Sequence, residues 1–389
     1  MSSSIGRGER RALVVGAGLT GASVARELAD AGWNVVVHEA TRLAGGLIRS
    51  ATMEGIVYEP HGSHIFHTDD SEVWEYVNRF VRFNDYRHQV RIMIEGKLLH
   101  WPMSVGDIDA QSCPDDIRRE LAERESVDSE ARAMAANFEE WCLELMGPTL
   151  YARYVHPYTK KQWGREPREL RASWAPRRVQ VRRDGDPYLF PDAHQGWPDG
   201  RQGYTDLIEG LLGHRRIRLV TESGVSYATL DGVSAEADAR CVVLTCPLDA
   251  FSDFELGRLE WRGITVANVH LPHVELAQPA MVVNYPSLDY PFIRVHETKH
   301  ASQQTCQGTV LGFEFSGAPT RHYPINLPEN DALNVRYQEL IRHRFQDRLA
   351  VYFAGRLANY VYIDMDDCVR QALDISCKIR DVDPLAKAA

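Results

Sequence analysis

Apolar positions along this chain come in two rhythms, and the switches between them mark its elements. Arg11-Ala-Leu-Val-Val is a short apolar run ending at Gly16, the pattern of a parallel strand buried on both faces. Leu19 to Ala31 reads as a helix and Asn34 to His38, with three valines, as a second strand, so the chain opens on a βαβ unit. Val73, Trp74, Tyr76, Val77, Phe80 and Val81 have helical spacing within Ser71 to Phe83, and Val73, Trp74, Val77 and Phe80 make its core stripe. Val90 to Leu99 then alternates like a strand.

From about Asp107 to Leu145 the chain is rich in Ala, Glu and Arg with helical spacing, which predicts a helical subdomain. Between Tyr151 and Gly203 it turns to Arg, Pro, Gly and aromatics, the mixture of loops that carry a site. Tyr204 to Leu212 reads as a helix, and Ile217 to Val220 and Arg240 to Thr245 as short strands. Ile264 to Leu271, Ala280 to Asn284, Phe292 to His296 and Gly308 to Phe315 form a run of strands that predicts an antiparallel sheet. Asn330 to Phe345 is helical, Ala350 to Phe353 is a buried strand ending at Gly355, and Met365 to Cys377 is a closing helix. No internal repeat or low-complexity linker separates these elements, so the domains are expected to interleave.

At 389 residues the chain exceeds the roughly 250–300 residues at which single cores stop growing. A net charge of -10 argues against bulk attraction to nucleic acid, so an anionic ligand needs a local basic site. Cys113, Cys142, Cys241, Cys246, Cys306, Cys368 and Cys377 are odd in number and lack zinc-like spacing, which fits reduced thiols in a cytoplasm and implies no metal site. The polar opening MSSSIGRGERR carries no signal-peptide core and no run of about 18 apolar residues follows, so we expect a soluble cytoplasmic protein without a membrane partner.

Gly16, Gly18 and Gly21 form G-x-G-x-x-G between the first strand and the first helix. Glycine there permits a tight turn and lets the backbone approach a pyrophosphate that the helix N-terminus can bind. Glu39, at the end of the second strand, stands where a carboxylate accepts from ribose hydroxyls. These residues predict a dinucleotide site without choosing between FAD and NAD. Arg42-Leu43-Ala44-Gly45-Gly46 resembles the extension by which glutathione-reductase-like flavoproteins continue along the FAD pyrophosphate, and Phe353-Ala354-Gly355-Arg356 resembles that family's returning strand. The resemblance favours FAD.

The combination Gly62-Ser63-His64-Ile65-Phe66-His67-Thr68, then Tyr158-Thr159-Lys160-Lys161-Gln162-Trp163-Gly164, then Gly355-Arg356-Leu357-Ala358 with Tyr360, Tyr362, Asp364 and Met365, resembles the UDP-galactopyranose mutase family. The likeness runs from Val14 to about Cys377, with Val181-Arg182 between the motifs. It implies an α/β protein with a Rossmann-like, glutathione-reductase-like FAD-binding domain, an inserted helical subdomain and an antiparallel β-sheet substrate domain. On this chain we assign 1–83, 200–250 and 346–389 to the FAD-binding domain and 103–150 to the helical subdomain. The substrate domain takes 84–102, 151–199 and 251–345, with a mobile loop near 165–183.

The implied activity is a flavin-dependent mutase interconverting pyranose and furanose forms of a nucleotide sugar through attack of reduced-flavin N5 on the anomeric carbon, with NADPH or NADH as reductant. The family match assigns Arg182 and Arg294 to the diphosphate, with phenolic hydrogen bonds from Tyr323 and Tyr362. Arg356 lies beside the flavin and the sugar, and His67 under the flavin with His64 as its neighbour. Tyr158 stacks on the base near Gln162, Trp163 borders the sugar, and Asn84, Asn284 and Asp364 stand close to the sugar or its phosphates. Gly45, Gly46, Gly355, Asp364 and Met365 join the cofactor contacts.

Each assignment has a plainer rival, since a lone Arg is usually a solvated surface residue and Trp163 or the histidines could be ordinary core. The arginine-rich stretch Arg165, Arg168, Arg171, Arg177, Arg178, Arg182 and Arg183, with Pro167, Pro176, Pro187 and Gly185, suits a loop closing over an anionic ligand better than a nucleic-acid surface. Leu47, Thr298, His322 and Asn359, with Val155-His156-Pro157, depart from the family pattern around the base and substrate rim. We therefore expect a changed sugar or base, such as a deoxy sugar or a thymidine carrier. An FAD-dependent oxidoreductase of the amine-oxidase or desaturase kind and a non-catalytic flavin-binding protein are the competing readings, and the helical segment could support a homodimer.

Overall fold

Five short strands, Ile217–Val220, Asn34–His38, Arg11–Val15, Cys241–Leu244 and Ala350–Phe353, pair in that order, and every pairing is parallel. The computed structural model that shows this describes residues 10–125, 135–172 and 179–382. Alternate residues of the central strands face opposite layers. Ala12, Val14, Cys241 and Val243 pack against the helix Leu19–Asp30 and Ile379 of the helix Met365–Val382. Leu13, Val15, Val242 and Leu244 pack against Tyr337, Ile341 and Phe345 of the helix Pro328–Phe345. Both faces are covered, which is why the strand sequence is unbroken rather than alternating. Each buried Leu or Val there contributes about 1.5–3 kcal/mol relative to exposure.

A second sheet runs Trp261–Leu271, Thr309–Pro324, Arg294–His296, Val282–Asn284, Val90–Ile94, Lys97–Trp101. The four strands expected to form an antiparallel sheet pair antiparallel, and the sheet continues beyond them through a parallel pairing of Val282–Asn284 with Val90–Ile94. Those two strands come from segments far apart in the chain, so no hairpin imposes their direction. A shared core joins the second sheet to the helices over the first: Phe66, Val73, Val77 and Phe83 meet Val90, Met281 and Val282 on one side and Leu19, Ala22, Tyr204, Leu207 and Leu211 on the other. The expected helix Ser71 to Phe83 stops at Asn78, whose side-chain amide donates to Trp74 O and accepts from Phe83 N, turning the chain away.

The expected helical segment consists of Pro114–Glu125 and Phe138–Leu150 after a short turn at Val105–Ala110, and its residues 126–134 lie outside the described ones. Ile117, Leu121, Phe138, Cys142 and Met146 pack on Ile92 and Leu99 of the second sheet. After Gly147 and Pro148 a wide turn, in which the His156 N–H donates to Tyr151 O, feeds the helix His156–Trp163. Gly164, at φ +67°, ends it. Of the loop expected near 165–183, residues 173–178, with Pro176, Arg177 and Arg178, lie outside the described residues. Arg165 pairs with Glu260 and Arg171 with Asp331 at the surface.

Candidate active site

Two cavities meet in the middle of the molecule. The first, of about 710 Å³, is lined by Gly16, Gly18, Gly21, Glu39, Gly45, Gly46 and Gly355 among others. A Cβ on Gly21 would lie 1.9 Å from Gly16 O, and one on Gly16 would lie 2.3 Å from Thr245 Oγ1, so both positions exclude a side chain. A Cβ on Gly18 would meet nothing within 4 Å, which leaves open space at the start of the helix Leu19–Asp30. That helix has no side-chain cap and no acidic residue in its first turn, so its first amides face the cavity without a competing anion. Gly45 and Gly18 bridge across the mouth, and the Gly45 N–H donates to Ala17 O at 2.9 Å.

Glu39 is held by Ala17 N, Thr41 N and Thr41 Oγ1, all at 2.8–2.9 Å. A carboxylate accepts about four hydrogen bonds, so one acceptor site remains for a ribose hydroxyl. Open space before an uncapped helix N-terminus and a spare carboxylate acceptor fit a dinucleotide such as FAD.

The second cavity, of about 200 Å³, has walls from the second sheet, from the helix His156–Trp163 and from the stretch Arg356 to Met365. Arg294, at the start of its strand, donates from Nη2 to the Tyr158 hydroxyl at 2.6 Å, and that hydroxyl lies 3.4 Å from Asn284 Oδ1. Trp163, Tyr323 and Tyr362 meet edge to face with centroids 5.4–5.6 Å apart, and the Arg356 guanidinium lies 5.4 Å and 5.6 Å from the two tyrosine rings. Arg356 is aimed by Ile363 O, at 3.0 Å from Nε, and His322 O, at 3.3 Å from Nη1. His67 stacks on Phe190 at 3.6 Å, and its Nε2 is 3.7 Å from Asp364 Oδ2. His64, Arg356 and Met365 line both cavities and form their junction.

Behind this wall lies a buried polar chain. Glu314 sits directly across from Arg294 in the strand register, 3.5 Å from its Nε and 3.1 Å from His296 Nδ1. Burial pushes the Glu314 carboxyl up, but the Arg294 guanidinium and His296 outweigh it and hold the group at about 2. It is a permanent anion that fixes Arg294. Glu59 is fully buried, and desolvation raises its carboxyl well above the carboxylate range. Burial, helped by Arg356, lowers His64 to about 4. A Glu59 carboxyl oxygen accepts from the His64 amide at 3.0 Å and another contact of 3.2 Å joins the carboxyl to His64 Nδ1. Both shifts favour the uncharged forms beside the guanidinium of Arg356.

The structure brings His64, His67, Tyr158, Gln162, Trp163, Asn284, Arg294, Tyr323, Arg356, Tyr362, Asp364 and Met365 into one cavity. It does not bring Asn84 or Arg182 there. The Asn84 amide donates to Ala301 O and accepts from Tyr86 N and Trp197 N, so its carbonyl is used by the fold. Arg182 is buried in the two-residue strand that pairs with Met103–Ser104, and its Nη2 is turned to Leu189 O at 3.5 Å. His88, Leu189, Phe190 and Met281 line the cavity although sequence reasoning passed over them. His88 was findable, because it stands two and four residues before Val90 and Ile92, in phase with the alternating strand Val90–Ile94, and all three reach the cavity. Glu314 carried a similar signal, a charge in phase with the buried Val310.

Among the described residues no helix is long and apolar enough to cross a membrane, and no cluster of His, Cys, Asp or Glu could hold a metal ion. Fold and cavities together define a dinucleotide-binding enzyme whose second cavity is lined by guanidinium, phenol and imidazole groups. Residues 153–362 match the family model for UDP-galactopyranose mutase, and residues 14–80 that for the NAD(P)-binding Rossmann-like domain. The dTDP-fucopyranose mutase of Escherichia coli is 30% identical over 375 residues, covering 94% of this chain and 97% of that one. The Klebsiella pneumoniae protein named "Probable UDP-galactopyranose mutase" is 31% identical, covering 93% and 92%. A crystal structure of reduced UDP-galactopyranose mutase superposes with a TM-score of 0.77 at 15% identity, covering 96% of each chain. The chain belongs to the UDP-galactopyranose mutase family and is an isomerase of that family.

Proposed function

We propose that this chain interconverts the pyranose and furanose forms of a sugar carried on a nucleoside diphosphate, with FAD as cofactor in its reduced form and NADPH or NADH as reductant. The observation that carries the reading is the junction of the two cavities at His64, Arg356 and Met365, with Arg294 and three tyrosines beyond it in one cleft. Gly16, Gly18, Gly45 and Gly46 would hold the cofactor pyrophosphate and Glu39 its ribose. When bound and reduced, the flavin supplies a nucleophilic nitrogen to the anomeric carbon.

The chain's own residues do the rest. Arg294, Tyr323 and Tyr362 donate to the diphosphate and stabilise the charge that grows on it as its bond to the sugar breaks, while Tyr158, its hydroxyl held by Arg294, stacks on the base. Gln162 borders the base and Trp163 the sugar. Val90, Leu189, Phe190 and Met281 form an apolar wall that excludes water. The same wall, with the similarity to a dTDP-fucopyranose mutase, supports a deoxy sugar on a thymidine or uridine carrier over galactose.

The test is dithionite-reduced protein incubated separately with UDP-galactose, UDP-arabinose and dTDP-fucose, followed by chromatographic separation of ring isomers. Isomerisation without net redox is expected, fastest for dTDP-fucose. Preference for UDP-galactose would remove the deoxy sugar, and substrate oxidation stoichiometric with flavin reduction would replace the mutase by an oxidoreductase.

A further inference from the structure

Lys161 points away from the cleft, yet it makes an unusually dense set of contacts. Its ammonium donates to Tyr285 O at 2.5 Å, Ser287 O at 2.6 Å, Phe292 O at 3.0 Å and Tyr290 O at 3.1 Å. An ammonium has three N–H donors, so four carbonyls share them. All four belong to the connection between Val282–Asn284 and Arg294–His296. The ends of that connection are the cavity residues Asn284 and Arg294.

The helix that carries Lys161 is tied to the same sheet at its other side. Arg262 donates from Nε to Gln162 O at 2.7 Å and from Nη2 to Lys161 O at 3.1 Å, and Ser316 Oγ donates to Gln162 O at 2.5 Å. Across the cleft face, Tyr158 of the helix and Arg294 of the strand meet at 2.6 Å. The helix holding Tyr158, Gln162 and Trp163 and the hairpin holding Asn284 and Arg294 are therefore clamped from behind by one cation.

We infer that Lys161 is a positioning residue that sets the spacing between the base-bordering helix and the diphosphate-bordering strand, so that a nucleoside diphosphate is gripped at both ends at once. The inference rests on the reading of the cleft as a nucleoside diphosphate site. A ligand that spans two rigidly spaced subsites gains from their linkage, while one that fills a single subsite does not. That separates this role from general stabilisation of the loop.

Charge state offers a second handle. Burial lowers the Lys161 ammonium from 10.5 to about 8, with Asp289 of the connection pulling it back up. Tyr285 and Tyr290 meet it through their carbonyls and Arg262 through the Lys161 carbonyl, and among the described residues Asp289 is the one charged group that acts on it. Above about pH 8 a neutral amine has two donors and a lone pair facing carbonyl oxygens, so the clamp loosens as pH rises.

The test uses FAD-loaded full-length protein, with Lys161→Met and Lys161→Gln, titrated with UDP and with inorganic pyrophosphate and followed by protein fluorescence. Lys161→Met is expected to raise the Kd for UDP about tenfold while that for pyrophosphate stays within about twofold, with Lys161→Gln between. In the wild type UDP affinity is expected to fall as pH rises through about 8, and in Lys161→Met it is expected to stay flat. Equal losses for UDP and pyrophosphate, no loss for UDP, or the same pH profile in both proteins would overturn the inference. If Lys161→Met does not retain FAD, Lys161→Gln and the wild-type pH profile decide. A wild type that binds neither UDP nor dTDP would overturn the reading of the cleft and this inference with it.

Discussion

Replacing Glu314 by Gln keeps the shape of a side chain that is 1% exposed and removes the charge opposite Arg294. In the folded protein the carboxyl falls from its ordinary 4.5 to about 2, because Arg294 and His296 outweigh the burial that would raise it. At about 1.4 kcal/mol per tenfold change in proton affinity, the ionised group contributes about 3 kcal/mol at neutral pH. A folded value below the unfolded one means that this stability is present above 4.5 and lost as pH falls towards 2. Glu314→Gln also leaves the Arg294 guanidinium buried without its counter-ion, a change of about 3–5 kcal/mol in comparable pairs. Unfolding entropy near 2.1 cal/mol/K per residue amounts to about 0.8 kcal/mol/K for 389 residues, so a loss of about 3 kcal/mol lowers the midpoint by about 4 °C. Circular dichroism melts of both proteins from neutral pH downward measure it. Equal midpoints at neutral pH, or a gap that does not narrow below 4.5, would refute the claim that an ionised Glu314 anchors Arg294.

Gly21→Ala places a Cβ 1.9 Å from Gly16 O and should cost about 3 kcal/mol or more, read as loss of soluble folded protein. Gly18→Ala meets nothing within 4 Å and should melt like the wild type yet purify with little flavin absorbance, separating cradle from fold. Arg294→Lys replaces a fork that reaches Tyr158 and Glu314 together by a point charge, so UDP affinity measured by calorimetry should weaken about 10–100-fold. His322 is lowered from 6.5 to about 4, by burial first and then by His61 and His64, so the folded protein keeps it neutral. Its contribution is full above 6.5 and lost as pH falls towards 4; in His322→Tyr the drop in melting midpoint across that window should shrink.

Local pattern was enough for the parallel sheet and its glycine cradle. An apolar run of five, a turn of glycines, a helix and a second run are adjacent in the chain, and their periodicity reports burial directly. Most of the cavity's chemistry was also legible, because the motifs around His67, Trp163 and Arg356 are short and specific. Side-chain direction is what position alone does not give: the Asn84 carbonyl accepts two amides and the Arg182 guanidinium is turned to Leu189 O, so neither lines the cavity here. Nothing in the local pattern could show that Val90–Ile94 would lie parallel to Val282–Asn284, that Glu314 would stand across from Arg294, or that the Lys161 ammonium would close on the carbonyls of Tyr285 to Phe292. Such pairings join residues far apart in the chain. They are set by which faces must be buried together and which buried charges must find partners, a condition met only once the whole chain has packed.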